Sequence, residues 1–91
     1  MEWTIFAVSQ GDASSLKSKG PFDMVIANIN RNILLADMKH YIARMNPGAE
    51  LLMSGFYIDD IPVIREEAER NGLHFVHHRE KNRWAAVKFR K

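Results

Sequence analysis

The sequence predicts a mixed α/β domain in which a mostly parallel sheet carries two helices and ends in an antiparallel hairpin. Three observations predict this class. Short β-branched and aromatic runs alternate with two stretches of helical periodicity. Residues 23–29 (DMVIANI) are nearly all apolar, without alternation, which is typical of a strand buried on both faces of a parallel sheet. Only five residues separate the last two strand-like runs, too few for a parallel crossover.

Composition indicates one small domain spanning residues 1–91. A hydrophobic content of 46% is enough for a core at this length. The chain has no cysteine, which excludes a disulfide framework and a thiolate zinc site and suits a reducing compartment. Its apolar runs are short, and its first residues do not resemble a signal peptide. We therefore expect a cytoplasmic protein without a membrane partner.

Charge is distributed unevenly along the chain. Residues 1–72 carry 7 basic and 10 acidic groups, a net −3, whereas residues 73–91 carry 6 basic and 1 acidic, a net +5. A positive segment of this kind can contact RNA or an acidic partner. The alternative, which the pattern favours, is a solvated hairpin whose lysines protect a sheet edge from pairing.

The first half of the chain contains two strands and a helix. Residues 3–9 (WTIFAVS) form a strand that enters a loop at Gly11, and residues 14–21 form a connection to the strand at residues 23–29. A helix follows, with either Asn30 or Asn32 as its N-cap and with the sequence Asn-Pro-Gly at residues 46–48 ending it. Its apolar face comprises Leu34, Met38, Tyr41, Ile42 and Met45.

The second half contains a strand, a helix and the hairpin. The strand covers residues 50–54, and the helix starts at residues 59–60, with Pro62 in its first turn, and ends at residues 71–72. Residues 73–78 and 84–89 are the hairpin strands, joined by a loop at residues 79–83. Right-handed crossovers then align the carboxyl ends of the parallel strands along one edge.

Ligands of open parallel sheets bind beyond these carboxyl ends, which selects Asp12, residues 28–32 and residues 54–56 as the candidate site. Asp12 can accept a hydrogen bond from a ligand amine, or it is a turn residue bonded to its own backbone. Asn28 ends an apolar strand. Its amide either accepts a hydrogen bond from a substrate amine or anchors the loop before the helix.

Several other features have simpler explanations. On a regular strand, His74 and His78 share one face while His77 points away, so these histidines do not converge on a metal and we expect no metal site. The methionines at core spacing are packing residues. Trp3 and Trp84 are interpreted as core residues rather than as a base-stacking platform. No Gly-rich phosphate loop or catalytic triad is present in the sequence.

A family resemblance runs through these segments. Residues 22–29 (FDMVIANI) closely resemble the fourth motif of class I methyltransferases, in the form used by the ribosomal protein L11 methyltransferase family. The similarity continues through Asn46-Pro47-Gly48, residues 51–56 (LLMSGF), the helix after Asp60, and residues 79–84 (REKNRW). The resemblance covers nearly the whole chain from Gly11. It implies an incomplete Rossmann-like methyltransferase sheet, the C-terminal half of a catalytic domain.

The resemblance also implies a chemistry and its residues. Members of that family transfer methyl groups from S-adenosylmethionine to amino groups of a ribosomal large-subunit protein. Gly11-Asp12-Ala13 matches the third motif, so Asp12 and Ala13 are the expected cofactor-binding residues, with Asp12 bonded to the adenine amine. Asn28 matches the motif-four asparagine beside the reacting methyl and is the expected catalytic residue. Many amino-group methyltransferases continue this motif as Pro-Pro-aromatic, whereas Ile29-Asn30-Arg31 stand here.

The family's Gly-rich cofactor loop and its first two strands would precede residue 1. We therefore expect little or no S-adenosylmethionine binding and no activity from this chain alone. Two other roles stay open, a non-catalytic module that contacts ribosomal RNA through the basic segment, and a structural piece that completes another chain's sheet. Without the first strand, residues 23–29 would have an unpaired edge. We expect residues 3–9 to pair there within one molecule, with self-association as the competing behaviour.

Overall fold

The computed structural model describes residues 5–9 and 21–91, which form one five-stranded sheet with two α-helices. The elements in chain order are β1 (Ile5–Ser9), β2 (Phe22–Asn28), α1 (Arg31–Ala43), β3 (Met45–Tyr57), α2 (Ile61–Arg70), β4 (His74–Lys81) and β5 (Trp84–Arg90). One turn of 3-10 helix, Ile58–Asp60, leads into α2. The predicted α/β class and the order of elements are confirmed.

The strand order in the sheet is β1-β2-β3-β5-β4. The first three strands are parallel, and β5 runs antiparallel to both β3 and β4. Asn28 is in register with Ser9 on one side and with Ser54 on the other, so the carboxyl ends of the parallel strands are level. The expectation that the N-terminal strand pairs beside β2 within one molecule is confirmed for Ile5–Ser9.

Both helices cover the same face of the sheet, which we call the helix face. The buried side chains of α1 and α2 join one core cluster with alternate residues of β2, β3 and β5. These sheet residues are Val25, Ala27, Leu51, Met53, Val87 and Phe89. Met24 and Ile26 point to the opposite face and are only partly buried. The expectation that β2 is buried on both faces is therefore wrong in this chain.

Helix α1 starts as predicted and ends early. The Asn30 side chain accepts a hydrogen bond from the Ile33 amide at 3.0 Å, which makes Asn30, not Asn32, the N-cap. The helix ends at Ala43, and Met45 is the first residue of β3 rather than part of the helical face. Tertiary hydrogen bonds satisfy carbonyl groups at this end. The Lys91 ammonium donates to the carbonyl oxygens of Ile42 and Met45, at 2.7 and 2.8 Å.

Helix α2 and the hairpin follow the predicted pattern with two changes. Helix α2 ends at its C-cap Asn71 and carries an ion pair of 3.2 Å between Glu66 and Arg70. Strand β3 is longer than predicted, and β4 continues to Lys81, so the hairpin turn consists of Asn82 and Arg83 alone. Both have positive φ, 51° and 73°, as a two-residue hairpin turn requires. No helix within the described ranges is long and apolar enough to cross a membrane.

Candidate functional site

A solvent-open cleft of about 490 Å³ lies at the carboxyl ends of β2 and β3. Its lining comprises Asn28, Ile29, Asn30, Ile33, Ser54, Gly55, Trp84 and Ala85. The structure thus brings together two of the three predicted segments, residues 28–30 and residues 54–55. The third prediction, Asp12 with Ala13, lies outside the described residues, and its position relative to the cleft stays a prediction.

Asn28 is exposed at the end of β2. Its side-chain amide makes no hydrogen bond with any residue in the described part of the chain. The next residue is held by a backbone bond, in which the Ile29 amide donates to the Ser54 carbonyl oxygen at 3.1 Å. The backbone around Asn28 is therefore fixed while its amide remains available to a ligand.

Gly55 lets the two strand ends approach each other closely. Its φ is +96°, and it occupies a bulge where the pairing of β3 with β5 shifts between Ser54 and Phe56. A Cβ atom built on Gly55 would lie 2.8 Å from Asn28 Oδ1 and 2.9 Å from the Ile29 carbonyl oxygen. Because any side chain would collide there, only glycine permits the Asn28 amide its present position.

Trp84 lines the cleft, and its ring stacks on Tyr57, which lines the adjoining depression. The rings of Tyr57 and Trp84 are stacked with centroids 4.4 Å apart and an interplanar angle of 24°. They are 48% and 50% exposed, so the interpretation of Trp84 as a core residue is wrong. Trp84 starts β5 opposite Tyr57, on the sheet face that the helices do not cover. Trp3 lies outside the described residues.

Two ion pairs involve residues next to the cleft in sequence or in the adjoining depression. In this depression of about 360 Å³, Arg31 at the start of α1 contacts Asp60 at 3.2 Å. Arg83 of the hairpin turn contacts Asp59 at the same distance, and the side chains of that pair are more than 70% exposed. Exposed pairs of this kind contribute about 0–1 kcal/mol each to folding. The cleft itself has a neutral lining, because none of its described lining residues is charged or a histidine.

The histidines do not form a metal site in the described structure. A bulge between Phe75 and His77 shifts the pairing of β4 with β5, so that His74 and His77 lie opposite Arg90 and Lys88, on one face. The prediction that His74 and His78 share a face is therefore wrong, because a bulge reverses the strand alternation. The described ranges contain no cluster of three or more potential metal-ligating side chains.

Comparison with known proteins agrees with this geometry. The family model described as ribosomal protein L11 methyltransferase (PrmA) matches residues 3–91. The ribosomal protein L11 methyltransferase of Bacteroides fragilis is 78% identical over 86 residues, covering 94% of this chain and 31% of that protein. The Bacteroides thetaiotaomicron relative is 80% identical over 83 residues, covering 91% and 30%. The crystal structure of a ribosomal protein L11 methylase from Lactobacillus delbrueckii subsp. bulgaricus superposes with a TM-score of 0.75 at 25% identity, covering 82% of this chain and 40% of that one.

The fold and the cleft at its strand ends define a Rossmann-like protein of the methyltransferase class. Within that class, the chain belongs to the ribosomal protein L11 methyltransferase family. It spans about 30% of the length of the curated relatives it matches, and it corresponds to the C-terminal part of the family's domain.

Sequence reasoning missed Trp84, Ala85 and Ile33 as lining residues. Trp84 is the first residue of a strand and follows a turn. Side chains at such positions often stay partly exposed, and this position is the only indication of its exposure that the sequence gives. The pairing of Trp84 with Tyr57 connects positions 27 residues apart in sequence, and it depends on the register between β3 and β5. That register is a tertiary property.

Proposed function

We propose that the cleft is the amine-accepting end of an S-adenosylmethionine-dependent methyl-transfer site, and that the domain containing this chain methylates amino groups of ribosomal protein L11. The observation that carries the proposal is the free Asn28 amide, held at the strand end against Gly55. The names of the relatives support the substrate. A ribosomal substrate also favours a cytoplasmic location.

The described residues fit the methyl-donating end of this cofactor. S-adenosylmethionine, when bound, supplies a methyl group that is already activated by its sulfonium. Such chemistry requires positioning more than a strong acid or base, and the cleft offers a neutral amide between apolar and aromatic walls. At Gly55 the backbone comes close enough to exclude any side chain from the cleft floor. Asp12 and Ala13 would hold the adenine.

Each cleft residue then has a physical task. The side-chain oxygen of Asn28, Oδ1, accepts a hydrogen bond from the incoming amine. This bond fixes the direction of the lone pair on the amine nitrogen. Trp84, supported by the stacked ring of Tyr57, presents an apolar surface to the aliphatic stem that carries the amine. Correct alignment of two reacting groups can contribute several kcal/mol to lowering the barrier.

A chimera tests this assignment. In it, the C-terminal segment of the Bacteroides fragilis relative is replaced by this chain, which matches 31% of that protein at 78% identity. We expect the chimera to methylate L11. Asn28→Ala should lower kcat about 100-fold, with the Kd for S-adenosylmethionine changed less than about threefold, because orienting the nucleophile matters mainly in the transition state.

Asp12→Ala in the same chimera is the matched comparison. It should weaken S-adenosylmethionine binding first, by about tenfold, since a lost hydrogen bond to the adenine acts on ground-state affinity. Isothermal titration and single-turnover assays separate the two effects. If Asn28→Ala abolished cofactor binding while the turnover of bound cofactor persisted, the assigned role of Asn28 would be wrong.

Contact of the basic segment with ribosomal RNA is the second candidate function. Four of the six cations in residues 73–91 are engaged internally, namely Arg83, Lys88, Arg90 and Lys91. Arg79 and Lys81 on β4 are exposed and have no ion-pair partner in the described residues. If these two side chains bind RNA, the affinity should fall as the salt concentration rises, with a slope that corresponds to about two neutralised phosphates. This salt dependence should disappear in an Arg79→Ala/Lys81→Ala variant. Salt-independent or undetectable binding would eliminate this candidate.

A further inference from the structure

The adjoining depression continues the cleft toward the starts of α1 and α2. The two cavities share three lining residues, Asn30, Gly55 and Trp84. The depression has a volume of about 360 Å³, compared with about 490 Å³ for the cleft. A polypeptide that brings a side-chain amine to Asn28 extends beyond the cleft. The depression offers a continuous surface to the residues on one side of that amine.

The depression differs from the cleft in charge. Its lining contains Arg31 and Asp60, which form an ion pair of 3.2 Å. The side chains of this pair are 45% and 22% exposed, respectively, so the guanidinium is the more accessible of the two charged groups. A segment in the depression therefore meets a cation that the neutral cleft does not offer.

Asp60 holds Arg31 and does not cap its own helix. An aspartate before a helix commonly accepts a hydrogen bond from an amide of the first turn. At Asp60 the 3-10 turn continues into α2 with a φ of −88° and a ψ of −8°, and the side chain makes no capping bond. Its carboxylate instead accepts a hydrogen bond from Arg31, 29 residues earlier in the chain. Asp60 is therefore a positioning residue for the guanidinium.

Both partners of this ion pair come from anchored ends of elements. In the 3-10 turn, the Ile58 amide donates to the Arg83 carbonyl oxygen at 2.9 Å, and the Ile58 side chain packs against the core. Arg31 is the first residue of α1, directly after the N-cap Asn30. The guanidinium thus has a defined position beside the cleft.

Arg31 keeps hydrogen-bond donors for a ligand. Its Nη1 donates to Asp60 and its Nη2 to Asn32 Oδ1, at 3.2 and 3.3 Å. A guanidinium carries further N–H groups, and no other acceptor in the described part of the chain takes them. The contact with Asp60 uses one nitrogen and is not bidentate, so a second carboxylate can bind the remaining edge. Because Arg31 is 45% exposed, solvent screens its attraction to Asp60.

We propose that the adjoining depression binds the substrate residues that flank the target amine, and that Arg31, positioned by Asp60, selects an acidic side chain there. The inference rests on the proposed function in taking the cleft as the amine site. The ring of Tyr57 also lines the depression and is 48% exposed, so it offers a surface to the aliphatic part of the flanking residue. Arg31 acts on substrate affinity and not on the chemical step.

Peptides with a single lysine test this selection in the chimera. They are identical except at one position near the lysine, before or after it, which carries Glu, Gln or Arg. On one side of the lysine, we expect a KM about tenfold lower for the Glu peptide than for the Arg peptide. The kcat should stay within about twofold, because a contact made equally in the ground and transition states changes only KM. Arg31→Ala should reduce the difference in KM to less than about threefold, and Arg31→Glu should reverse it.

Arg83→Ala is the matched control. Arg83 is also an exposed arginine that contacts an aspartate at 3.2 Å, yet it lines neither the cleft nor the adjoining depression. The discrimination between peptides should be unchanged in this variant, and thermal unfolding of every variant shows that it folds. An equal loss of discrimination in Arg83→Ala and Arg31→Ala would overturn the proposal.

An exchanged pair, Arg31→Asp/Asp60→Arg, separates recognition from a purely structural bridge. It retains an ion pair but moves the cation from α1 to the start of α2. The thermal stability should return to that of the unsubstituted chimera, while the KM for the Glu peptide stays at least about fivefold higher. Restoration of that KM together with the stability would show that the pair is only a bridge and would refute the proposal.

A binding measurement distinguishes this inference from the proposed function. Isothermal titration of the same peptides, with S-adenosylhomocysteine present, gives their Kd independently of turnover. A preference for Glu that depends on Arg31, without methyl transfer to L11 or to any peptide, would refute the proposed function and support the subsite. Methyl transfer with a Kd and a KM that are insensitive to the flanking residue would refute the subsite, as would undetectable binding of every peptide. An equal rise of KM for all peptides in Arg31→Ala would identify a backbone carbonyl as the acceptor and refute the selection of an acidic side chain.

Discussion

At the scale of single residues, the cleft depends on the close approach of Gly55 to Asn28. An asparagine at the end of an apolar strand is useful for catalysis only if its amide is neither buried nor bound by its own chain. Gly55 meets this condition by adopting a φ of +96° and by having no side chain to displace Asn28 Oδ1. The glycine and the asparagine therefore act as one unit.

Gly55→Ala should destabilise the chain and move the Asn28 amide. We expect a loss of about 2–4 kcal/mol in the free energy of unfolding, since positive φ alone costs about 1–2 kcal/mol and the collision adds to it. Gly48→Ala is the matched control, because Gly48 has a φ of +86° and nothing within 4 Å of an added Cβ. Urea unfolding measures both. Equal losses at the two glycines would mean that the collision with Asn28 contributes nothing.

Tyr41 gives a second residue-scale prediction, which concerns pH. Its side chain is fully buried in α1, its hydroxyl has no hydrogen-bond partner in the described structure, and burial, reinforced by Asp37, raises its pKa to about 12. A folded-state pKa above the unfolded value stabilises the fold below pH 10, and this stability is lost as pH rises toward 12. Tyr41→Phe should be neutral or more stable by up to about 1 kcal/mol at pH 7.

Thermal unfolding at pH 7 and pH 11 checks this prediction. The phenylalanine variant should keep the stability that the unsubstituted chain loses between these values, because it cannot ionise. A clear loss of stability in Tyr41→Phe at pH 7 would show that the hydroxyl does have a partner.

At the scale of elements, ends and bulges decide which residues meet. Asn30 is the N-cap of helix α1 and also lines the cleft, so the cap and the site share a residue. The bulge in β3 presents Gly55 to Asn28, and the bulge in β4 turns His77 to the same face as His74. Local irregularities of one residue therefore determine the composition of the site more than the regular parts of the strands do.

Asn30→Ala should destabilise α1 by about 1 kcal/mol, because it leaves the Ile33 amide without its acceptor. Asn32→Ala is the control, since Asn32 lies exposed inside the helix and only accepts a bond of 3.3 Å from Arg31. Chemical denaturation should place Asn32→Ala within about 0.5 kcal/mol of the unsubstituted chain. A larger loss for Asn32→Ala than for Asn30→Ala would contradict the assignment of the cap.

At the scale of the whole molecule, α1 and α2 cover one face of the sheet, and no described helix covers the other face. The core therefore lies on one side of the sheet, and Met24, Ile26 and Leu52 on the other side are only partly buried. The intramolecular pairing of β1 with β2 covers part of the β2 edge. It therefore favours a monomer over a swapped dimer in the chain as it stands.

The 91-residue chain by itself should bind S-adenosylmethionine more weakly than about 100 µM. The expected contacts from Asp12, Ala13 and Asn28 are few, and the 91 residues contain no Gly-rich phosphate loop. Calorimetric titration of the chain, and of the chimera with the Bacteroides fragilis relative, measures the difference. Sedimentation in the same buffer should show a monomer at micromolar concentration. Micromolar affinity for the chain alone, or a persistent dimer, would contradict these expectations.

The sequence by itself determined the order of elements, the antiparallel hairpin and the position of Asn28 at a strand end. These features depend on local periodicity, on turn residues and on the short distance between the last two strands, which neighbouring residues specify. The family resemblance depended on the same local segments. Helix α2 was predicted almost to the residue, because Pro62 and Gly72 mark its ends by backbone preference alone.

Only the tertiary structure decided which faces are covered and which side chains meet. The exposure of Trp84 depends on its pairing with Tyr57, and the facing of His77 depends on a bulge that reverses the alternation of β4. At the end of α1, Lys91 donates hydrogen bonds to the carbonyl oxygens of Ile42 and Met45, 46 to 49 residues away. The sequence pattern predicts that Met24 and Ile26 are fully buried in a parallel strand, yet they lie on the sheet face that no described helix covers and are only partly buried. A sequence pattern reports that a side chain prefers burial, and whether a partner is present to bury it depends on the assembled structure.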